Sequence, residues 1–191
     1  MKSFRTKTNL SLKKSDLNIL KACIKGDTKA QTQLYRKHKA MLFGVCLRYA
    51  KDRIEAEDFM QEGLIVIFRD LKQYRPTSAL GAWMRRVMIN VCLQQLRKRH
   101  NVFKVSSMEA KEVLMLQSAE DILGNLRAKE LIQMVQSLPV GYRAVFNLYV
   151  IEGYSHKEIA ELLNISMNTS KSQLSRAKAN LRKLLEAELI G

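Results

Sequence analysis

The chain has 191 residues, and 33 Lys+Arg stand against 18 Asp+Glu for a formal net charge of +15 and a pI near 9.9. That excess points to a polyanion, either nucleic acid or an acidic membrane surface, while 47% hydrophobic residues exclude a disordered basic tail. With only 8 Gly and 2 Pro the chain lacks the turn punctuation of an all-β sandwich or a Gly-rich nucleotide fold, so it reads as all-α, in one domain or two small ones.

Cys23, Cys46 and Cys92 are widely spaced and show no C-x-x-C pair, which predicts free thiols in a reducing compartment and no zinc site. The first fourteen residues hold no apolar run long enough for a signal segment, and no stretch reaches the length of a membrane span. The expectation is a cytoplasmic protein without membrane insertion.

The charge is unevenly placed. Residues 1–99 hold 22 basic and 8 acidic side chains, residues 100–120 hold 2 and 3, and residues 121–191 hold 9 and 7. Six of the eight acids in the first stretch, Asp52, Glu55, Glu57, Asp58, Glu62 and Asp70, fall between 51 and 70. By default such an island is a solvated helix face; its sharper meaning is a docking surface for a basic protein.

In chain order, Leu20, Cys23, Ile24, Leu34, Tyr35, Met41, Leu42, Val45, Cys46 and Tyr49 recur at helical spacing and break at Lys25-Gly26-Asp27, predicting two helices around a glycine turn. From Arg53 to Leu71 a third helix places Met60, Leu64, Ile67 and Leu71 on one face and Glu55, Asp58 and Glu62 on another. After a break at Tyr74–Ser78, residues 79–99 form a fourth. Met84, Met88, Cys92 and Leu96 line its apolar side, while Trp83, Arg86, Asn90, Gln94 and Arg97 descend another. An aromatic ring, amides and cations in one stripe suit stacking on unpaired bases, bonding to their edges and neutralising phosphates. For Trp83 taken alone, core packing is the more ordinary role.

Residues 101–120 lack helical phasing and read as a linker, which at roughly 3.3 Å per residue would reach about 65 Å, about 19 base pairs at roughly 3.4 Å per step. Helical spacing resumes at Leu131–Leu138 and at Gly141–Ile151. Ser155-His156-Lys157-Glu158 then fits a capping box, Ile159, Leu162 and Leu163 supply a core face, and Asn164-Ile165-Ser166 makes a tight turn. In the helix that follows, Ser170, Leu174, Ala177, Leu181 and Leu184 are expected inward, and Thr169, Lys171, Ser172, Gln173, Ser175, Arg176 and Lys178 outward. A short helix, a tight turn and a second helix bearing hydroxyl, amide and guanidinium groups match a major-groove reader; a packing-only hairpin is the bland alternative.

Together the two halves resemble an extracytoplasmic-function (group IV) member of the sigma-70 family of bacterial RNA polymerase sigma factors. Gly26-Asp27, the run Glu55 to Glu62, the run Ala82 to Asn90 and Leu96-Arg97 resemble the family's region 2. Leu138-Pro139, Arg143, Phe146-Asn147-Leu148, Glu152-Gly153-Tyr154-Ser155, Glu158-Ile159-Ala160, Thr169 to Ser172 and Ser175-Arg176-Ala177 resemble region 4. The resemblance implies a two-domain all-α fold: a basic extension at 1–16, region 2 at 17–100, a flexible linker at 101–122 and region 4, with its helix-turn-helix, at 123–191.

It further implies that Asp58, Gln61 and Glu62 bind core polymerase at the β′ clamp helices, with region 4 meeting the β flap. Tyr74, Trp83, Arg86, Asn90, Gln94 and Arg97 would bind and melt the −10 element, and Thr169, Lys171, Ser172 and Arg176 would read the −35 element. The linker would run through the RNA exit path. No cofactor, metal or catalytic group is implied, and an anti-sigma factor clasping both domains is the family's usual control. Ser170 stands where the family usually has Val, a polar change on an inner face that predicts looser packing; Asn168 replaces a common Gly. The competing function is a helix-turn-helix regulator that binds duplex DNA without touching polymerase. A nucleic-acid-cleaving enzyme ranks lower, because the clustered carboxylates lie along one helix with no metal-pairing partner.

Overall fold

A computed structural model of the chain describes residues 14–76, 78–99 and 126–190, all helices, turns and loops. The expected extension at 1–16, apart from its last residues, and all of the expected linker at 101–122 lie outside the described residues. Helix α1 (Lys14–Ile24) stops where Gly26 takes a positive φ of 85°, a backbone state that costs glycine little. Asp27 then caps α2 (Thr28–Tyr49), accepting from Lys29 N at 2.8 Å and Ala30 N at 3.1 Å, which satisfies two of the free N–H groups at the helix start.

Helix α3 (Arg53–Asp70) begins with a reciprocal cap, Glu55 N donating to Asp52 at 2.8 Å and Lys51 N to Glu55 Oε2 at 2.6 Å. A tight turn at Leu71–Gln73 leads into α4 (Leu80–Arg99), which packs against both α2 and α3. The α3–α4 crossing depends on Gly63, where a Cβ would lie 2.3 Å from the sulfur of Met88, itself fully buried.

The second group comprises α5 (Leu126–Ser137), α6 (Val140–Phe146) continuing as a wide π turn through Asn147–Ile151, α7 (His156–Leu163) and α8 (Met167–Ile190). The capping box of α7 forms as expected, with Glu158 N donating to Ser155 Oγ at 3.3 Å and Ser155 N to Glu158 Oε2 at 2.8 Å. Asn164 closes α7 in the left-handed region at φ 54°, which a short polar side chain tolerates better than most. Apolar packing is continuous across both groups, from Leu20, Leu42 and Phe59 to Val145, Leu148, Ile159 and Leu174.

Three placements differ from the sequence reading. Glu55 is only 4% exposed and leaves the acidic stripe, because a first-turn carboxylate is drawn back to the unpaired N–H of Lys51. Gln173 is buried over Gly141, whose missing side chain makes room for the amide. Leu184 is exposed, on a late turn of α8 that keeps the helical period.

Candidate nucleic-acid and polymerase interface

Three surfaces carry the expected site residues. On α3, Glu57, Asp58, Gln61 and Glu62 are all exposed, flanked along the helix by exposed Ile54 and Ile65. Burying Met60 and Ile67 on the opposite side fixes which face meets solvent. The face is therefore acidic in the middle with an apolar residue at either end, a composition suited to a basic, amphipathic partner.

On α4, Arg86, Asn90, Gln94 and Arg97 share an exposed side, while Met84, Met88, Cys92 and Leu96 are buried. Arg97 Nε also reaches the Leu93 carbonyl at 3.3 Å. Trp83 is half-buried, its ring 5.6 Å from that of Tyr74 at a 58° tilt. Tyr74 is buried, and its hydroxyl donates to the Ser78 carbonyl; burial pushes its phenol pKa up. The pair thus braces the 74–78 loop against α4, with part of the indole still open above the Arg86–Arg97 stripe.

On α8, Lys171, Ser172 and Arg176 are exposed and Thr169 is half-buried. Ser166 caps the helix, accepting from Thr169 N at 3.0 Å, and its hydroxyl meets that of Thr169 at 2.8 Å. Arg176 Nη1 donates to Tyr142 Oη at 3.3 Å, which restrains a long side chain before any ligand arrives. Ser170 is fully buried, and its hydroxyl pairs with His156 Nδ1 at 2.9 Å. The His156 ring stacks on Tyr149 at 4.5 Å. Burial, then Lys171 and Lys178, hold the His156 pKa below its ordinary value, which favours the neutral ring.

The sequence family decides what these surfaces belong to. Residues 34–102 match the model of sigma-70 region 2 and residues 128–181 match that of sigma-70 region 4, together well over half of the chain. The chain belongs to the extracytoplasmic-function group of the sigma-70 family. It is 29% identical over 180 residues to the ECF RNA polymerase sigma factor SigM of Mycobacterium tuberculosis, covering 90% of this chain and 85% of the relative. To the ECF RNA polymerase sigma factor SigW of Bacillus subtilis it is 28% identical over 176 residues, covering 87% and 94%. In fold it is similar to the sigma factor RpoE solved with the anti-sigma factor NepR from Bartonella quintana, at 23% identity and a TM-score of 0.52, covering 81% of this chain and 96% of that one.

The structure also gathers residues that the sequence reading passed over. At the junction of regions 2 and 4, Glu152 of region 4 meets Arg85 of α4 and Arg48 of α2. Gln136 Nε2 donates to the Leu47 carbonyl at 2.9 Å, and Asn147 Nδ2 to the Arg48 carbonyl at 2.8 Å. Arg143, 2% exposed, donates to the Gln136 carbonyl at 2.6 Å. Burial pulls its guanidinium pKa down to about 10 against the opposing pull of Glu55 and then Asp52. An arginine inside an apolar helix was visible in the sequence, but its partners in region 2 were not. Among the described residues no His, Cys, Asp or Glu group is placed to hold a metal, and no helix is long and apolar enough to cross a membrane.

Proposed function

We propose the following division of labour among the residues of this chain, an RNA polymerase sigma factor that directs promoter-specific transcription. Asp58, Gln61 and Glu62 dock on the β′ clamp helices of core polymerase, and region 4 meets the β flap. Trp83, Arg86, Asn90, Gln94 and Arg97 hold the opened −10 strand by stacking, edge bonding and phosphate neutralisation. Tyr74 supports that surface from beneath Trp83. Thr169, Lys171, Ser172 and Arg176 read the −35 duplex, with Arg176 the candidate for guanine O6 and N7 and the hydroxyls for phosphates. In this reading region 2 spans 17–100, a linker 101–122 and region 4 123–191. The protein works in the cytoplasm and itself catalyses nothing, since polymerase makes the phosphodiester bond. An anti-sigma factor that clasps both regions is its expected control, in keeping with the complex in which the RpoE relative was solved.

The observation that carries this reading is the exposed acidic face of α3 on the same chain as a helix-turn-helix. A duplex-binding regulator has no use for that face. The test is run-off transcription with purified bacterial core polymerase, with and without this protein, on a promoter library from its own genome. New start sites sharing two spaced elements support the reading; retained DNA binding without core binding or new transcripts replaces it with the regulator.

A further inference from the structure

We propose that Arg48 and Arg85 form a cradle for a nucleic-acid phosphate in region 2, and that in the free chain Glu152 of region 4 occupies it. The proposal rests on the nucleic-acid-binding reading above and adds to it a phosphate site and a self-masking contact. The Glu152 carboxylate takes a two-point grip from Arg85, Nε to Oε2 at 2.9 Å and Nη2 to Oε1 at 2.9 Å, and a third bond from Arg48 Nη2 to Oε1 at 3.2 Å. A guanidinium fork receives two phosphate oxygens in the geometry in which it receives two carboxylate oxygens. The carboxylate therefore sits where a phosphate would.

The cradle belongs to region 2. Arg48 Nη1 is held by the Gly44 carbonyl of its own helix at 3.0 Å. Arg85 is one residue from Arg86 on α4, about 100° around the helix from the exposed Arg86–Arg97 stripe, and its side chain keeps 36% exposure whereas that of Glu152 keeps 7%. A strand that leaves the stripe and wraps around α4 would bring its backbone to Arg85.

The closed arrangement has to open for promoter binding. A compact chain of this length has a radius of gyration of about 16 Å. By their names the −10 and −35 elements lie about 25 base pairs apart, about 85 Å along B-DNA. The junction is also poorly satisfied. Arg48 Nε, Tyr49 Oη, Arg143 Nε and Asn147 Oδ1 are buried with no hydrogen-bond partner among the described residues, and all four belong to residues at or beside the contact between the regions. Closure leaves these groups without a protein partner there, which weakens the hold of Glu152 against a competing phosphate.

The test uses the full chain without polymerase: fluorescence anisotropy with a labelled single-stranded oligonucleotide over a range of salt, alongside small-angle scattering. Glu152→Gln is expected to tighten binding about tenfold, to steepen the salt slope by about 0.7 for one added phosphate contact and to raise the radius of gyration. Arg85→Ala in the Glu152→Gln background should return affinity to the wild-type level or below. The exchanged pair Arg85→Glu with Glu152→Arg should stay compact yet bind no better than wild type. Glu152→Asp, which withdraws the carboxylate by one methylene, provides a second route to an unmasked cradle should the first variant fold poorly. An unchanged affinity in both Glu152 variants overturns the proposal, as does an equal gain in the Arg85→Ala background. Because polymerase is absent here, a failure of run-off transcription would remove the sigma-factor assignments without bearing on this result.

Discussion

The two halves of the molecule solve the problem of holding DNA differently. Residues 1–99 carry 22 basic side chains against 8 acidic ones, and even so α3 turns an acidic face to solvent. Residues 121–191 are nearly balanced, 9 against 7, and α8 places Lys171, Arg176 and Lys178 on its exposed side. Region 2 thus has charge enough to bind phosphates without reading sequence, plus one acidic surface whose charge suits a basic protein rather than DNA. Region 4 has little net charge to attract DNA at long range, and the few side chains proposed to read it are held by the Ser166 cap and the Arg176–Tyr142 contact. The comparison teaches that affinity and selectivity are separable, because long-range charge adds over a surface while base readout needs fixed geometry.

The sharpest way to break the comparison is at the acidic face. Asp58→Lys combined with Glu62→Lys should weaken binding to core polymerase by roughly a thousandfold, as read by a pull-down titration, with the melting curve unchanged since both side chains are exposed. An unaltered affinity would return that face to mere solvation. The next largest effect falls on the junction: Arg143→Ala should cost about 3 kcal/mol of stability in urea unfolding, because Glu55, Asp52 and the Gln136 carbonyl lose a buried cation. A loss below about 0.5 kcal/mol, the range of ordinary surface changes, would show that the two regions do not pack through it.

Within region 4, Arg176→Ala should weaken the cognate −35 duplex by about 1–3 kcal/mol in a competition binding assay. An equal loss on unrelated DNA would make it a phosphate contact and blur the contrast with region 2. The smallest effect concerns His156. Its pKa is held down in the folded chain, so the unfolded chain binds more protons in the window that ends near its ordinary value of about 6.5. Stability should therefore rise with pH up to about 6.5 and level off above it, and His156→Gln should remove that slope from the pH dependence of chemical unfolding.

Much of this was legible in sequence because it is local. Helical spacing of Met84, Met88, Cys92 and Leu96 located α4 and its buried side, and Ser155 with Glu158 announced the start of α7 three residues apart. The exposed face of α3 was legible also, except for Glu55, where a first-turn cap outweighed the period. Gln173 was misread because its burial depends on Gly141, on another helix; Ser170 was read correctly as inward, but its partner His156 lies across the helix-turn-helix and could not be seen.

The junction was illegible for a stronger reason. Glu152 is 67 residues from Arg85 and 104 from Arg48, beyond any helical or turn spacing, and acidic or basic residues at all three positions look like ordinary surface charge. Sequence alone determined the family, the helices, the α7 capping box and most of the helix faces that meet solvent, since those follow from periodicity and short-range hydrogen bonding. Only the tertiary structure decided which charges become neighbours, because burial converts screened surface charges into committed pairs and folding brings distant residues together.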